Sequence, residues 1–269
     1  MIPTRESTAT TANARLEELA PNDGEGNRDW FARSPWKDGI IMLGGASLVD
    51  FRVRVAQSHL RGDLSPSYWS LCGIVLDEQG RFLTAPLQPR DISDVPETNG
   101  VRTLTLRDVD DPERWPNIAV VRFAAQSEPV VAKAGHIAQR RTLIDLPRLV
   151  VRWLAYAWAT GAGDNPLAES EGLPSAAFVE AAYALADIEL TPGLSSAASC
   201  PEAIWQAVKW WHEYYMDSQQ MGTARASGPI VPEGVYGLRQ RSAAMLLRRQ
   251  PLAVLPRRRT RSGRTAHGE

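Results

Sequence analysis

Two thiols and four imidazoles are the side chains of this 269-residue chain best suited to nucleophilic and acid–base chemistry: Cys72, Cys200, His59, His136, His212 and His267. A thiol attacks as its thiolate, so it needs an imidazole in reach or a helix N-terminus to favour loss of its proton. Neither cysteine has a histidine at a telling spacing. Cys72 lies in Tyr68-Trp-Ser-Leu-Cys-Gly-Ile-Val-Leu76, an aromatic and apolar run that reads as the start of a buried strand, where a core thiol is expected. Cys200 precedes Pro201 at a helix start, which offers a lowered pKa, although a structural role in the cap region is the plainer expectation. His59 stands upstream of the strand, across the Gly62–Pro66 turn, and reaches a cleft only if that turn swings it inward. His136 and His212 read as partly buried or interfacial. The chain has no His-x-x-x-His pair, no Cys-x-x-Cys and no Gly-rich phosphate loop, so neither a metal centre nor a cofactor is expected.

The composition belongs to an ordinary globular protein, with 43% hydrophobic residues, 23% charged residues and nine tryptophans. A net charge of -1 gives no overall pull toward nucleic acid or an anionic membrane. Two isolated cysteines do not make a disulfide framework, which points to reduced thiols and a cytoplasmic setting. The N-terminal residues are polar where a signal peptide needs an apolar stretch. No run approaches the roughly 18 apolar residues of a spanning helix, so no membrane span is expected.

The elements that must position these side chains divide into two kinds. Strand signals recur at Gly39–Leu43, Cys72–Leu76, Arg81–Ala85, Arg102–Leu106 and Ile118–Phe123, with Pro- and Asp-rich turns between the last four, which predicts an antiparallel meander. Ser47–His59 fits a helix and a strand equally. Helical patterns come next at Leu146–Ala159, Pro174–Ala186 and Pro201–Met216. Strands succeeded by helices indicate the α+β class, an antiparallel sheet packed against helices. Residues 1–26 read as a flexible arm outside the core, with one or two helical turns at Ala14–Ala20, residues 27–237 as the domain, and 238–269 as a basic tail.

That tail holds nine arginines between Arg239 and Arg264 against one acid, Glu269. It reads as disordered, or as an electrostatic dock for phosphate, an acidic protein face or an anionic surface. Without interleaved aromatics it is no nucleic-acid reader. On the last helix Ile204, Trp205, Val208, Trp211 and Tyr215 share one face, which core packing accounts for. Trp210 and Tyr214 fall on the other side, a candidate surface for a protein partner or a second subunit, and Trp153 and Trp158 pose the same question.

Two segments carry a resemblance: Tyr68–Ala85 (YWSLCGIVLDEQGRFLTA), and Gly172–Tyr183 (GLPSAAFVEAAY) continuing through Asp187-Ile-Glu-Leu190 to Ser199-Cys-Pro-Glu-Ala-Ile-Trp205. Together they resemble the circularly permuted papain-like hydrolases of the NlpC superfamily, over roughly residues 39–210. The resemblance implies a permuted papain-like domain in which one strand carries the base, the next a polar third member, and a later helix the nucleophile. Carried over, the base position falls on Leu71, the third member on Thr84 and the nucleophile on Ser175. Leucine accepts no proton, and a helix-head serine without a base is a weak nucleophile; a first-turn hydrogen bond explains Ser175 as well. Alternation along the strand is expected to turn Cys72 to the opposite face from Leu71, away from the site.

The resemblance therefore implies a degenerate site, with Leu71, Thr84 and Ser175 converging on a cleft that binds rather than reacts. A peptide or an acyl ligand in that cleft, a protein partner, or self-assembly is then the expected function. The alternative is an active cysteine- or serine-type amide or thioester hydrolase with a relocated nucleophile and base.

Overall fold

A computed structural model describes residues 15–87, 99–123, 127–139, 145–158, 163–220 and 232–241. The turn expected around 95–100 falls almost wholly outside these residues, as do the first 14 and, in the tail, everything beyond Arg241, including His267 and seven of the nine arginines.

The centre of the molecule is set by Ile40-Ile-Met-Leu-Gly44, a strand buried at every position. Such a run needs cover on both faces and a neighbour on both edges. It has them: the described residues form one seven-stranded sheet in the order β1-β7-β6-β2-β3-β4-β5. The strands are β1 (Arg15–Glu18), β2 (Ile40–Gly44), β3 (Leu71–Val75), β4 (Arg81–Thr84), β5 (Arg102–Thr105), β6 (Asn117–Phe123) and β7 (Pro232–Leu238). Six α-helices accompany them: α1 (Asn27–Arg33), α2 (Leu48–Ala56), α3 (Ser127–Gln139), α4 (Leu146–Ala157), α5 (Pro174–Ala184) and α6 (Pro201–Gln220). The α+β class is as expected.

Alternation along the strands divides the core into two layers. Ile40, Met42, Cys72, Ile74, Ala119 and Val121 face one side, where α2 to α6 pack. Ile41, Leu43, Leu71, Val75, Ile118 and Val120 face the other, against Trp30 and Phe31 of α1 and the 106–115 segment. The ambiguous segment is the helix α2, started by Ser47, whose hydroxyl accepts from the Asp50 amide.

The sheet departs from the expected meander in two ways. Strands β3, β4 and β5 are neighbours in sequence order, but β6 crosses to pair with β2 and β7. Its apolar run Ile-Ala-Val-Val demands burial on both faces, which an edge cannot supply, whereas the polar Arg-Thr-Leu-Thr of β5 suits one. The sheet is also mixed rather than antiparallel, because β1 runs parallel to β7. The segment Arg15–Glu18, expected as helical turns in a flexible arm, is this edge strand; its glutamates and leucine spacing favour a helix, but pairing with β7 prevails.

The residues between β1 and α1 also belong to the fold. The Trp30 indole donates to the Leu19 carbonyl at 2.8 Å, and Arg33 pairs with Glu25 at 2.6 Å. At the other end, Arg239 donates to Asn27 and to the Glu25 carbonyl, while Gln240 accepts from the buried Arg54 at 2.9 Å and exchanges two hydrogen bonds with Asn117. The basic segment therefore begins only after these anchors. Helices α1 and α3 are not expected from the sequence pattern, although Val130, Ala134 and Ile137 of α3 recur at core spacing.

Candidate functional site

Ser175 is the second residue of α5, behind Pro174, and the helix opens on Leu173 with no side-chain cap. Its hydroxyl does not cap the helix as expected. Instead it meets β3: the Cys72 amide donates to it at 3.4 Å, and the Cys72 thiol lies 3.8 Å away. Thr84 of β4 donates its hydroxyl to the Cys72 carbonyl at 2.6 Å. Strands β3 and β4 can come this close because Gly73 has no side chain; a Cβ there would stand 2.6 Å from the Leu83 carbonyl oxygen.

Thr84 and Ser175 thus both converge on Cys72, and Leu71 does not join them. Its side chain belongs to the opposite core layer. Cys72 and Leu71 point to opposite faces, as alternation requires, but the sides are exchanged relative to expectation: Cys72 faces Ser175 and Leu71 turns away. A leucine in the base position is therefore not what stands beside Ser175; a thiol is.

That thiol is not poised to react. Burial pushes the Cys72 pKa well above the ordinary thiol range, and the nearby Glu180 carboxylate pushes the same way. The thiol at Cys200, where a helix start offered a lowered pKa, is likewise pushed up by burial, to about 12. Desolvation outweighs the two backbone N–H groups, from Glu202 and Ala203, that favour its thiolate. Ser175 is itself only 2% exposed. None of the described histidines contacts Ser175 or either thiol: His59 contacts the Ala56 carbonyl through Nδ1 in a 3-10 turn, and His136 is exposed on α3.

The polar residues near α5 and α6 that the sequence did not single out are buried carboxylates. Glu180 accepts from Thr191 at 2.6 Å and Ser199 at 3.0 Å, both on Oε1, which ties the 191–199 loop to α5. Glu202, in the Pro201-Glu-Ala-Ile204 turn, accepts from Ser67 at 2.6 Å, and its amide donates to Gln57. Burial raises the pKa of both carboxyls. These groups are engaged in holding loops to helices; a lone Glu in an apolar helix such as Ala-Phe-Val-Glu-Ala was the available signal.

The largest departure from expectation lies on the other side of β3. A cavity of about 440 Å³ opens there between the start of α2, strands β3 and β5 and the 106–115 segment. Leu71 lines it, together with Ser70, Asp50, Arg102 and Trp115. Asp50 is buried, accepting from Ser47 at 2.5 Å and Ser70 at 2.8 Å, and Gly45 makes room for its carboxylate, which a Cβ would approach to 2.3 Å. The serine before Leu71 thus serves Asp50 and the Gly45 amide, not a reaction.

The aromatic surface of α6 is as anticipated at two positions: Trp210 and Tyr214 are 55% and 51% exposed and stack at 5.6 Å. Trp211, expected in the core, is half-buried beside them. Of the other pair, Trp158 is exposed but Trp153 is fully buried, its indole donating to the Gly172 carbonyl at 2.8 Å. No group of His, Cys, Asp and Glu suited to a metal ion occurs among the described residues, and none of their helices is long and apolar enough to cross a membrane. No protein-family model, curated protein or solved structure matches the chain.

Proposed function

We propose that the chain is a binding or scaffolding module, a papain-like frame with a degenerate catalytic centre. The observation that carries this reading is the environment of Ser175. Its hydroxyl meets the Cys72 amide and thiol, both donors, and none of its contacts among the described residues is a group that takes up a proton. Nucleophilic catalysis by serine needs such a group within about 3.2 Å. The thiol cannot replace it, because burial holds it protonated far above neutral pH. The motifs YWSLCGIVL and the Pro201 helix start support the frame; the polar and apolar cavity beside Leu71 supports binding.

The test is covalent labelling of the native full-length chain with a serine-directed fluorophosphonate and, separately, with iodoacetamide. No stoichiometric adduct is expected at Ser175, Cys72 or Cys200, and both thiols should label once the chain is unfolded in guanidinium. Rapid one-to-one labelling of any of the three in the native state would restore a hydrolase.

A further inference from the structure

We propose that the cavity beside Leu71 binds an organic anion with a compact apolar body, a carboxylate foremost. The inference rests on the reading of the chain as a binding module and names the ligand class of that module. At about 440 Å³ the cavity has the size of a small-molecule site, for which about 300–1,000 Å³ is usual. Its walls carry two kinds of surface. Val49, Leu71, Leu104 and Val109 supply an apolar lining, and Arg102 and Arg114 supply two guanidinium groups.

The sign of the ligand is set by an inventory of donors and acceptors. The two acids on the wall are already turned onto internal donors: Asp50 onto the Ser47 and Ser70 hydroxyls, and Asp108 onto the amide and hydroxyl of Thr105, both at 2.9 Å. Of the two guanidiniums, that of Arg102 is not used up in the same way. The Arg102 side chain, half-buried on β5, makes no hydrogen bond or ion pair among the described residues. The Trp115 indole N–H is buried and has no partner among them either. A guanidinium presents a fork that matches a carboxylate. An anionic head on Arg102, with an apolar body against Leu71, Leu104 and Trp115, satisfies both kinds of wall at once.

Leu71, Leu104, Val109 and Trp115 lie on the other face of the sheet from Cys72 and Ser175, while Val49 reaches the cavity from the start of α2. The fold explains the separation: alternation at Leu71 and Cys72 sends adjacent side chains into different layers.

Calorimetric titration of the full-length protein with a panel of carboxylates, from benzoate through phenylacetate to naphthaleneacetate, each paired with its neutral amide, tests the inference. Acids should bind and their amides should bind at least about tenfold more weakly, the scale of a charge-assisted bond. Arg102→Ala should weaken the best acid by about tenfold. Arg107→Ala, the same loss of charge on an exposed neighbour outside the cavity wall, should leave affinity unchanged. Equal binding of acid and amide, indifference to Arg102→Ala, or no binding of any acid at millimolar concentration each overturns the inference. The outcomes are separable from those of the labelling experiment: a native chain that resists both labels yet binds no acid loses the ligand class and keeps its status as a module.

Discussion

Glu180 and Glu202 share with Asp50 a carboxyl that burial pushes above its ordinary pKa. In the unfolded chain each returns to the usual carboxylate range, so above that range the folded state binds more protons than the unfolded one. Stability contributed by these groups therefore falls as pH rises through their raised values and is recovered on mild acidification. Glu17, Glu25, Asp63 and Asp77 are shifted down and act in the opposite sense, but their contribution fades only as pH falls below the ordinary carboxylate range. Urea midpoints should thus fall as pH is raised from the ordinary carboxylate range upward. Glu180→Gln isolates the effect: one oxygen accepts from both Thr191 and Ser199, and an amide keeps that oxygen while removing the charge. The variant should be as stable as the parent or more so at pH 7.5, with a flatter pH profile; a loss above about 2 kcal/mol would show that the charge itself holds the loop. At this scale the sequence is legible where a side chain's chemistry is local. Ser175 and Thr84 each bond a backbone group of Cys72, whereas Leu71 and Cys72 exchange places, since the phase of an alternating pattern is set by the partner strand and not by the strand itself.

Elements are legible in proportion to their own hydrophobic period. Helices α4, α5 and α6 and strands β3 to β6 carry enough apolar pattern to be placed within a few residues. Strand β1 is short and charged, exists only because β7 offers a parallel edge, and has no period to read. Helix α1 is a mere seven residues, held by Trp30 and Phe31 in a core that other elements build. The pairing of β3 with β4 depends on one backbone approach. Gly73→Ala places a methyl 2.6 Å from the Leu83 carbonyl oxygen and 2.8 Å from the Phe82 ring, both in a buried layer that cannot yield freely. A destabilisation of about 2–3 kcal/mol is expected, read as a lower chemical-denaturation midpoint with an unchanged m-value. An unchanged midpoint would mean that β4 shifts to accommodate it and that Thr84 is not held against Cys72 by this contact.

For the whole molecule, the order β1-β7-β6-β2-β3-β4-β5 is beyond reach of the sequence because strand neighbours distant in the chain carry no local mark. The folded core also runs a few residues past the point where the composition turns basic. Leu238 is a core residue and Gln240 closes the buried contacts of Arg54 and Asn117. A chain ending at Arg241 keeps these contacts, and one ending at Tyr236 should be less stable than it by about 2 kcal/mol or more, from loss of the core residue Leu238 and of the Gln240 bonds to Asn117 and to Arg54, which keeps the Ser67 and Gly45 carbonyls. Equal midpoints for the two truncations would remove Gln240 from the framework. Comparing elution of the first truncation with that of the full chain then reads any association carried by the arginines beyond Arg241.

Glu18 touches Arg241, so strand β1 and the residues after β7 lie side by side on one rim of the sheet. Because β1 runs parallel to β7, a protein fused at residue 15 would leave beside Glu233 and one fused at residue 241 would leave beside Glu18, about one strand length away, so the two would be held at high mutual effective concentration. The same arrangement makes the molecule a candidate for re-ordering: a bridge of roughly six to eight residues, long enough to run back along β1 from 241 to 15, with a new opening in a surface turn elsewhere, should leave every strand with its present neighbours.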